Sequence, residues 1–319
     1  MRVTITTPSR LHFGIVDMRG DLGRIYGSVG VAIEKPRLVL RASLRKTISA
    51  SGPRSERVLG YMKTLLGEHH VKGGAQLEVI SDIPEHQGFG SGTQLALAVG
   101  VAVSRLHDLN LSVEEIALEL SRSKHSGIGT YAFARGGFIV DGGHSTSRPN
   151  AVPPLVFRSD VPRDWFFIVG VPDIAQRING TSEAKAFERL EPPPGSLVGE
   201  AARRVLMGMI PAIIEGEIEA FGEAMTALDS TFGEYWLKIQ GGRYSHPAIE
   251  VGINHLKEAG AYGVGQSSWG PAFYGLAKGD KMAAELAADL SEFLNSGGRR
   301  GEAFQVPVNN RGAEIKVEN

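Results

Sequence analysis

Residues 84–94 read Pro84-Glu85-His86-Gln87-Gly88-Phe89-Gly90-Ser91-Gly92-Thr93-Gln94 and run straight into Leu95-Ala96-Leu97-Ala98-Val99. Glycine lets backbone N–H groups turn toward a ligand with no Cβ in the way. The apolar run behind the loop is a buried helix by pattern, and a helix start carries unpaired N–H groups and a partial positive charge. A glycine-rich turn feeding a buried helix is therefore a place for phosphate. It is also what an ordinary tight turn looks like. No Lys-Ser/Thr pair follows Gly92, so it is not a Walker A loop.

Glycine is plentiful, 41 of 319 residues, and clusters at 14–30, 88–100, 127–143 and 260–270, which suggests several loops closing on one site. With 42% apolar and 22% charged residues the composition is that of a globular chain long enough for two domains. A formal charge of −1 gives no field that would favour nucleic acid. The lack of cysteine removes disulfides, thiolate metal sites and thiol nucleophiles together. The N-terminus alternates like a strand and has no signal-peptide core. No run has the roughly 18 apolar residues of a membrane span. The expected compartment is the cytoplasm.

Strands are expected at 2–7, 29–42 (broken by Pro36), 76–80, 137–140, 165–170 and 271–277. Helices are expected at 58–66, 93–107, from the capping box Ser112-Val113-Glu114-Glu115 to about Ser123, at 197–228 with a break or kink at Pro211, at 246–259 and at 281–294. The Pro-rich stretch at 150–154 divides a first domain, 1–152, from a second, 153–319. Residues 309–319 are polar and expected to fray. No GxGxxG fingerprint is present, so the pattern favours an α+β fold over a doubly wound sheet.

Three further constellations accompany the loop. Ser9-Arg10-Leu11-His12-Phe13-Gly14 with Asp17 brings a cation, an imidazole and a carboxylate together, and strand spacing puts Arg10 and His12 on one face. The segment Ser126-Gly127-Ile128-Gly129-Thr130-Tyr131 is followed by Arg135-Gly136-Gly137-Phe138-Ile139-Val140-Asp141-Gly142-Gly143-His144. Asp141 and His144 bury cheaply only with partners. Gly265-Gln266-Ser267-Ser268-Trp269-Gly270-Pro271 offers N–H and O–H donors for a second side of a phosphate site. Each of these also reads as glycine turns or a strand edge. The histidines show neither HxH nor HExxH spacing, so a metal would be Mg²⁺ carried with phosphates.

Together and in this order, the elements resemble the GHMP superfamily of small-molecule kinases over nearly the whole chain. Pro84–Thr93 matches that family's Pro-x3-Gly-Leu-Gly-Ser-Ser loop, with Phe89 for Leu and Gly92 for the second Ser, and Gly263–Gly270 matches its late glycine motif. The resemblance implies a ribosomal-protein-S5-like N-terminal domain and a ferredoxin-like C-terminal domain. Two departures mark the chain off from the kinases. Gly129 stands where several of them carry the Asp that serves the acceptor hydroxyl, and Arg10 stands where Lys is frequent. Losing that carboxylate should cripple hydroxyl phosphorylation.

Within the superfamily the motifs are most similar to the β-ribofuranosylaminobenzene 5′-phosphate synthases of methanopterin biosynthesis. That resemblance implies condensation of 4-aminobenzoate with phosphoribosyl pyrophosphate (PRPP), releasing CO₂ and pyrophosphate with Mg²⁺ as cofactor, in a possible homodimer. It implies catalytic roles for Arg10, His12, Asp17, Asp141 and His144. It implies phosphate or substrate contacts from Gly88, Gly90, Ser91, Gly92, Thr93, Gln94, Arg24, Ser126, Gly127, Thr130, Arg135, Arg177, Gln266, Ser267 and Ser268. Asp17 or Asp141 would hold Mg²⁺ or face the ribose. An ATP-dependent kinase of another acceptor and a non-catalytic phosphometabolite-binding protein remain the alternatives.

Overall fold

Two long strands organise the molecule. β1 (Arg2–Asp17) and β2 (Arg24–Arg45) pair antiparallel along nearly their whole length. A computed structural model describes residues 1–174, 191–240 and 242–318; Arg177 lies outside the described residues. β1 buries Val3 and Ile5 while Arg2 and Thr4 between them stay more open, the period-2 pattern of a half-buried strand. β2 is not broken at Pro36. The ladder skips from Thr7↔Leu38 to Ser9↔Ile33, so Pro36 falls in a register shift where no N–H is needed. A second shift lies between His12 and Gly14 and bends β1 beside the candidate site.

β3 (Ser49–Ser51) and β4 (Gly74–Ser81) extend this sheet to give the order β12-β1-β2-β4-β3. β5 (Phe138–Asp141) pairs with the first half of β2, β6 (His144–Ser145) lies beside it, and β7 (Leu155–Ser159) pairs with β5. The large sheet therefore draws on residues from both sides of 152/153. Its edge strand β12 (Glu314–Glu318) pairs with Arg2–Thr6. The expected fraying of 309–319 is thus corrected: edge pairing holds a polar strand that buries little. Asn309 is itself buried, its Oδ1 accepting from Arg311 N and Gly312 N.

Helices α1 (Ser55–Glu68), α2 (Ser91–Leu106), α3 (Val113–Glu119) and α4 (Ile128–Arg135) accompany this sheet. α2 is buried almost all round, as its apolar run demands. The capping box of α3 is formed: Ser112 Oγ accepts from Glu115 N, and Glu115 Oε2 accepts from Ser112 N.

The second sheet has the antiparallel order β11-β8-β10-β9, from β8 (Trp165–Pro172), β9 (Gly263–Gln266), β10 (Phe273–Lys278) and β11 (Gly301–Pro307). Ahead of β9 come α5 (Gly195–Arg203), a π-helical stretch (Arg204–Met209), α6 (Ile210–Glu215), α7 (Ile218–Gln240) and α8 (Pro247–Glu258), and α9 (Asp280–Leu294) follows β10. Pro211 does not interrupt the helical run. It sits in the first turn of α6, and the break falls at Gly216 in the left-handed region with φ 74°. α8 and α9 pack Ile249, Ile253, Leu256, Leu286 and Leu290 on one face of the sheet against Ile168 and Phe273.

The opposite face meets the large sheet. Phe13 of β1 lies 5.1 Å from Tyr274 and 5.8 Å from Phe167, and Phe221 of α7 lies 5.3 Å from both Phe138 and Trp165, measured between ring centres. One aromatic block thus joins the two halves. It sets β1, β9 and α7 side by side, the three elements that carry most of the site.

Candidate active site

The glycine loop is built as a cradle. Gly88 and Gly90 have φ of 87° and 76°, values a side chain tolerates poorly. A Cβ on Gly88 would stand 2.5 Å from the Ser267 carbonyl oxygen, so only glycine permits the close approach between the loop and the residues after β9. Three bonds lock that approach: Ser267 Oγ donates to Gly88 O (2.7 Å), His12 N donates to Ser267 Oγ (3.0 Å), and Arg10 Nη1 donates to Gly88 O. Arg10 N also donates to Phe89 O (3.1 Å) and Ser268 N to His12 O (3.2 Å).

Gly90 caps α2, whose first turn holds no acidic residue. The nearby loop carboxylate of Glu85 is paired with Arg57 at 3.0 Å, so the N–H groups of the helix start meet no acid from their own turn. At Gly92 the departure from the family's Ser has a visible reason. Arg57 Nη2 and Arg122 Nη1 each lie 3.3 Å from where a Cβ would stand, so glycine lets two guanidinium groups converge on the helix start. Neither arginine was expected from the sequence; no local motif contains them. Gly129 shows the reverse case. Its missing Cβ would press on Thr93 at 3.1 Å, and Gln94 Nε2 donates to its carbonyl (2.8 Å). Thr93 thus packs directly against the bare Gly129 position.

Beside the cradle opens a cavity of about 140 Å³. Of the expected residues, Arg10, His12, Ser126, Gln266 and Ser268 line it, and Ser267 stands between it and the loop. The cavity also takes Trp236, Trp269, Asp229, Arg243 and Tyr244, all unforeseen as site residues. Trp236 and Trp269 meet edge to face with ring centres 4.7 Å apart. Trp269 lies within the motif quoted from the sequence. The signal for Asp229 was faint: one of four acids in a helix that was expected to stop at Leu228 and instead runs to Gln240.

Burial sets the charge states. His12 is pushed down to about 3, by burial first and then by the Arg10 guanidinium, so it is neutral at physiological pH. Asp229 is pushed up to about 7 by burial, against the hydrogen bonds from Gln266 N (2.8 Å) and Tyr244 O–H (2.9 Å). Gln266 is a brace: its Oε1 accepts from Ser245 N (2.9 Å) and its Nε2 donates to Ser268 O (2.7 Å).

The other expected residues do not reach this cavity. Asp141 turns inward and accepts from Gly127 N (2.8 Å) and Gly143 N (2.9 Å), clamping two glycine turns; burial raises its carboxyl to about 6. Arg24 donates to the Gly142 and Gly143 carbonyls at 2.6 and 2.7 Å. His144 is buried, its ring 6.0 Å from Tyr26 and edge-on to it, and burial lowers its pKa. Asp17 Oδ1 accepts from Arg19 N (2.7 Å) and Gly20 N (3.3 Å), closing a turn. Thr130 is bonded to Ser123 (2.6 Å) and Arg135 ends α4.

Residues 56–137 match the family described as GHMP kinases N terminal domain, and residues 209–296 match GHMP kinases C terminal. Two archaeal proteins named beta-ribofuranosylphenol 5′-phosphate synthase are similar over nearly their whole length. The one from Methanothermobacter thermautotrophicus is 34% identical, covering 96% of this chain and 99% of its own. That of Archaeoglobus fulgidus is 33% identical, covering 98% and 99%. Among solved structures, mevalonate pyrophosphate decarboxylase from Streptococcus pyogenes superposes with a TM-score of 0.71 at 14% identity, covering 97% of each chain, a likeness of fold. The chain belongs to the GHMP kinase superfamily, in the family of these archaeal synthases.

Proposed function

We propose that this chain condenses a para-substituted benzoate with PRPP to give a ribofuranosyl-arene 5′-phosphate, CO₂ and pyrophosphate, as a step of methanopterin biosynthesis. The observation that carries the reading is one juxtaposition. A glycine loop at the start of α2, with Thr93 packed on the bare Gly129, lies beside a cavity with two tryptophans and two arginines. The relatives' name supports the reaction type and names a phenol where 4-aminobenzoate would give an aniline. Hydroxyl and amino both donate electrons from the para position.

The chemistry suits what the residues offer. Pyrophosphate leaves the ribose C1 as the ring carbon bearing the carboxylate attacks, and CO₂ departs in place of a proton. The loop and the start of α2 receive the pyrophosphate, with Arg57 and Arg122 on their outer side. Trp236 and Trp269 hold the ring. Neutral His12 and cationic Arg10 stand where the carboxylate and the cradle meet. Mg²⁺ enters the proposal as an ion brought by the pyrophosphate. The carboxylates first considered for it do not fit, since Asp17 and Asp141 are engaged by backbone N–H groups. No set of three metal-ligating side chains occurs among the described residues.

The test is a direct assay. Purified protein with PRPP, Mg²⁺ and carboxyl-labelled 4-aminobenzoate is expected to release labelled CO₂ and pyrophosphate in equal amounts. Consumption of ATP with an alcohol acceptor, and no CO₂, would establish a kinase instead. Ligand binding without turnover would leave the non-catalytic reading.

A further inference from the structure

The cavity has two distinct walls. On one, Arg10 touches the glycine loop, through its bond to Gly88 O and through the approach of its side chain to within 3.2 Å of where a Cβ on Gly90 would stand. From there β1 runs through His12 to Gly14, advancing about 3.3 Å per residue. At Gly14 the neighbour is Leu228 of α7, 3.6 Å from the position of a Cβ, and the next residue is Asp229. Arg10 and Asp229 thus stand on different walls of one cavity, Arg10 against the glycine loop and Asp229 on α7.

The proposed reaction orients the acceptor between them. The carbon that bonds to the ribose must face the cradle where pyrophosphate leaves, so the para substituent points away from Arg10. On the α7 wall stands a carboxylate. Asp229 is only 8% exposed and lines the cavity, and two donors reach it: Gln266 N on Oδ1 and the Tyr244 hydroxyl on Oδ2. An ionised carboxylate has about four acceptor positions. Two remain, and burial is costly for a carboxylate whose capacity goes unused. Arg243, whose charge acts on Asp229, and Tyr244 line the cavity beside it, and the Tyr274 hydroxyl is buried close by.

Resting on the synthase reading above, we propose that Asp229 meets the para group of the aromatic acceptor, accepting its O–H or N–H hydrogen and taking that proton as the ring attacks. The steps balance without an outside oxidant or reductant. The O–H or N–H electrons move into the ring, the ring carbon bonds to ribose C1, and the C1–O bond breaks with its pair going to pyrophosphate. The carboxylate carbon then leaves as CO₂, its bonding pair restores the aromatic ring, and the para oxygen or nitrogen recovers the proton from Asp229. No strong base acts at the reacting carbon. The proton that matters is at the other side of the ring, and a buried carboxylate suffices to hold it. The selected substrate class is therefore a benzoate with a hydrogen-bearing para donor.

The experiment compares 4-hydroxybenzoate, 4-aminobenzoate and 4-methoxybenzoate as acceptors with PRPP and Mg²⁺, following pyrophosphate. The methoxy group donates electrons but has no hydrogen to give. The wild type is expected to use the first two and to be slower with the third by at least about 100-fold, the usual scale of a positioned proton acceptor. Asp229→Asn is expected to bring the first two down to the methoxy level with KM for PRPP unchanged. It should also abolish the red shift that a hydrogen bond from the para O–H to Asp229 gives bound 4-hydroxybenzoate in ultraviolet difference spectra, which a purely structural residue would not control. Equal wild-type rates with the methoxy compound, or an undiminished rate in D229N, overturn the proposal while the synthase reading stands. Absence of pyrophosphate from every acceptor overturns both. The methoxy comparison needs only wild-type protein, so it decides even if D229N folds poorly.

Discussion

At the residue scale the site is shaped by ionisable groups taken out of water, and their slopes with pH oppose each other. Asp229 holds its proton up to about 7 instead of the ordinary 3.8. Between those values the unfolded chain has released a proton that the folded chain keeps, so this group's contribution to stability falls as pH rises from about 4 to 7. His12 runs the other way. Folded, it stays neutral down to about 3, whereas the unfolded imidazole takes a proton near 6.5, so stability is gained as pH rises across that window. Asp229→Asn removes the first slope and leaves the second. The melting temperature of the variant is expected to rise relative to wild type between pH 5 and pH 8. A constant gap across that range would mean that the Asp229 proton is not retained. At this scale the sequence was legible where neighbours along the chain make the site. Arg10, His12 and the loop glycines are local. Asp141 and Arg24 bind backbone brought to them by the fold, and a buried carboxylate looks the same in sequence whether it clamps N–H groups or faces a ligand.

At the scale of elements, α2 shows how a helix can be placed by what it lacks. Gly100 lies mid-helix, where alanine would ordinarily be favoured by about 1 kcal/mol. A Cβ there would stand 2.1 Å from Ile116 Cγ2 of α3, and Ile116 is fully buried. Gly100→Ala is therefore expected to destabilise the fold by about 1–3 kcal/mol, the usual cost of overpacking, despite its better helix propensity. Combining it with Ile116→Ala should recover part of the loss in thermal melts, whereas additive losses would rule out the contact. The apolar period of α2 and the capping box of α3 were both readable in advance. The helical run past Pro211 was not, because a proline in a first turn and one in a helix interior differ only in where the neighbouring turns begin.

At the scale of the molecule, the aromatic block of Phe13, Phe138, Phe167, Phe221 and Tyr274 joins the two sheets, and the site forms along that seam. The cradle comes from the N-terminal half and Asp229, Trp236 and Trp269 from the C-terminal half, so a ligand bridging them must stabilise the whole. With Mg²⁺ present, PRPP at 100 times its Kd is expected to add about 2.7 kcal/mol of stability and raise the melting temperature, and ATP to leave it unmoved. The opposite pattern would return the protein to the kinases.

The sequence by itself determined that the fold is that of the GHMP superfamily and that residues 84–94 form a glycine-rich turn at the start of a buried helix. Those facts are written in short-range spacing, which glycine conformation and helix ends translate directly into geometry. Only the tertiary structure decided which buried acid faces the cavity. Asp229, between Leu228 and Ser230, and Asp141, between Val140 and Gly142, look alike as carboxylates beside an apolar residue. One was turned toward the seam between the sheets and the other into the backbone by packing contacts far apart in the chain.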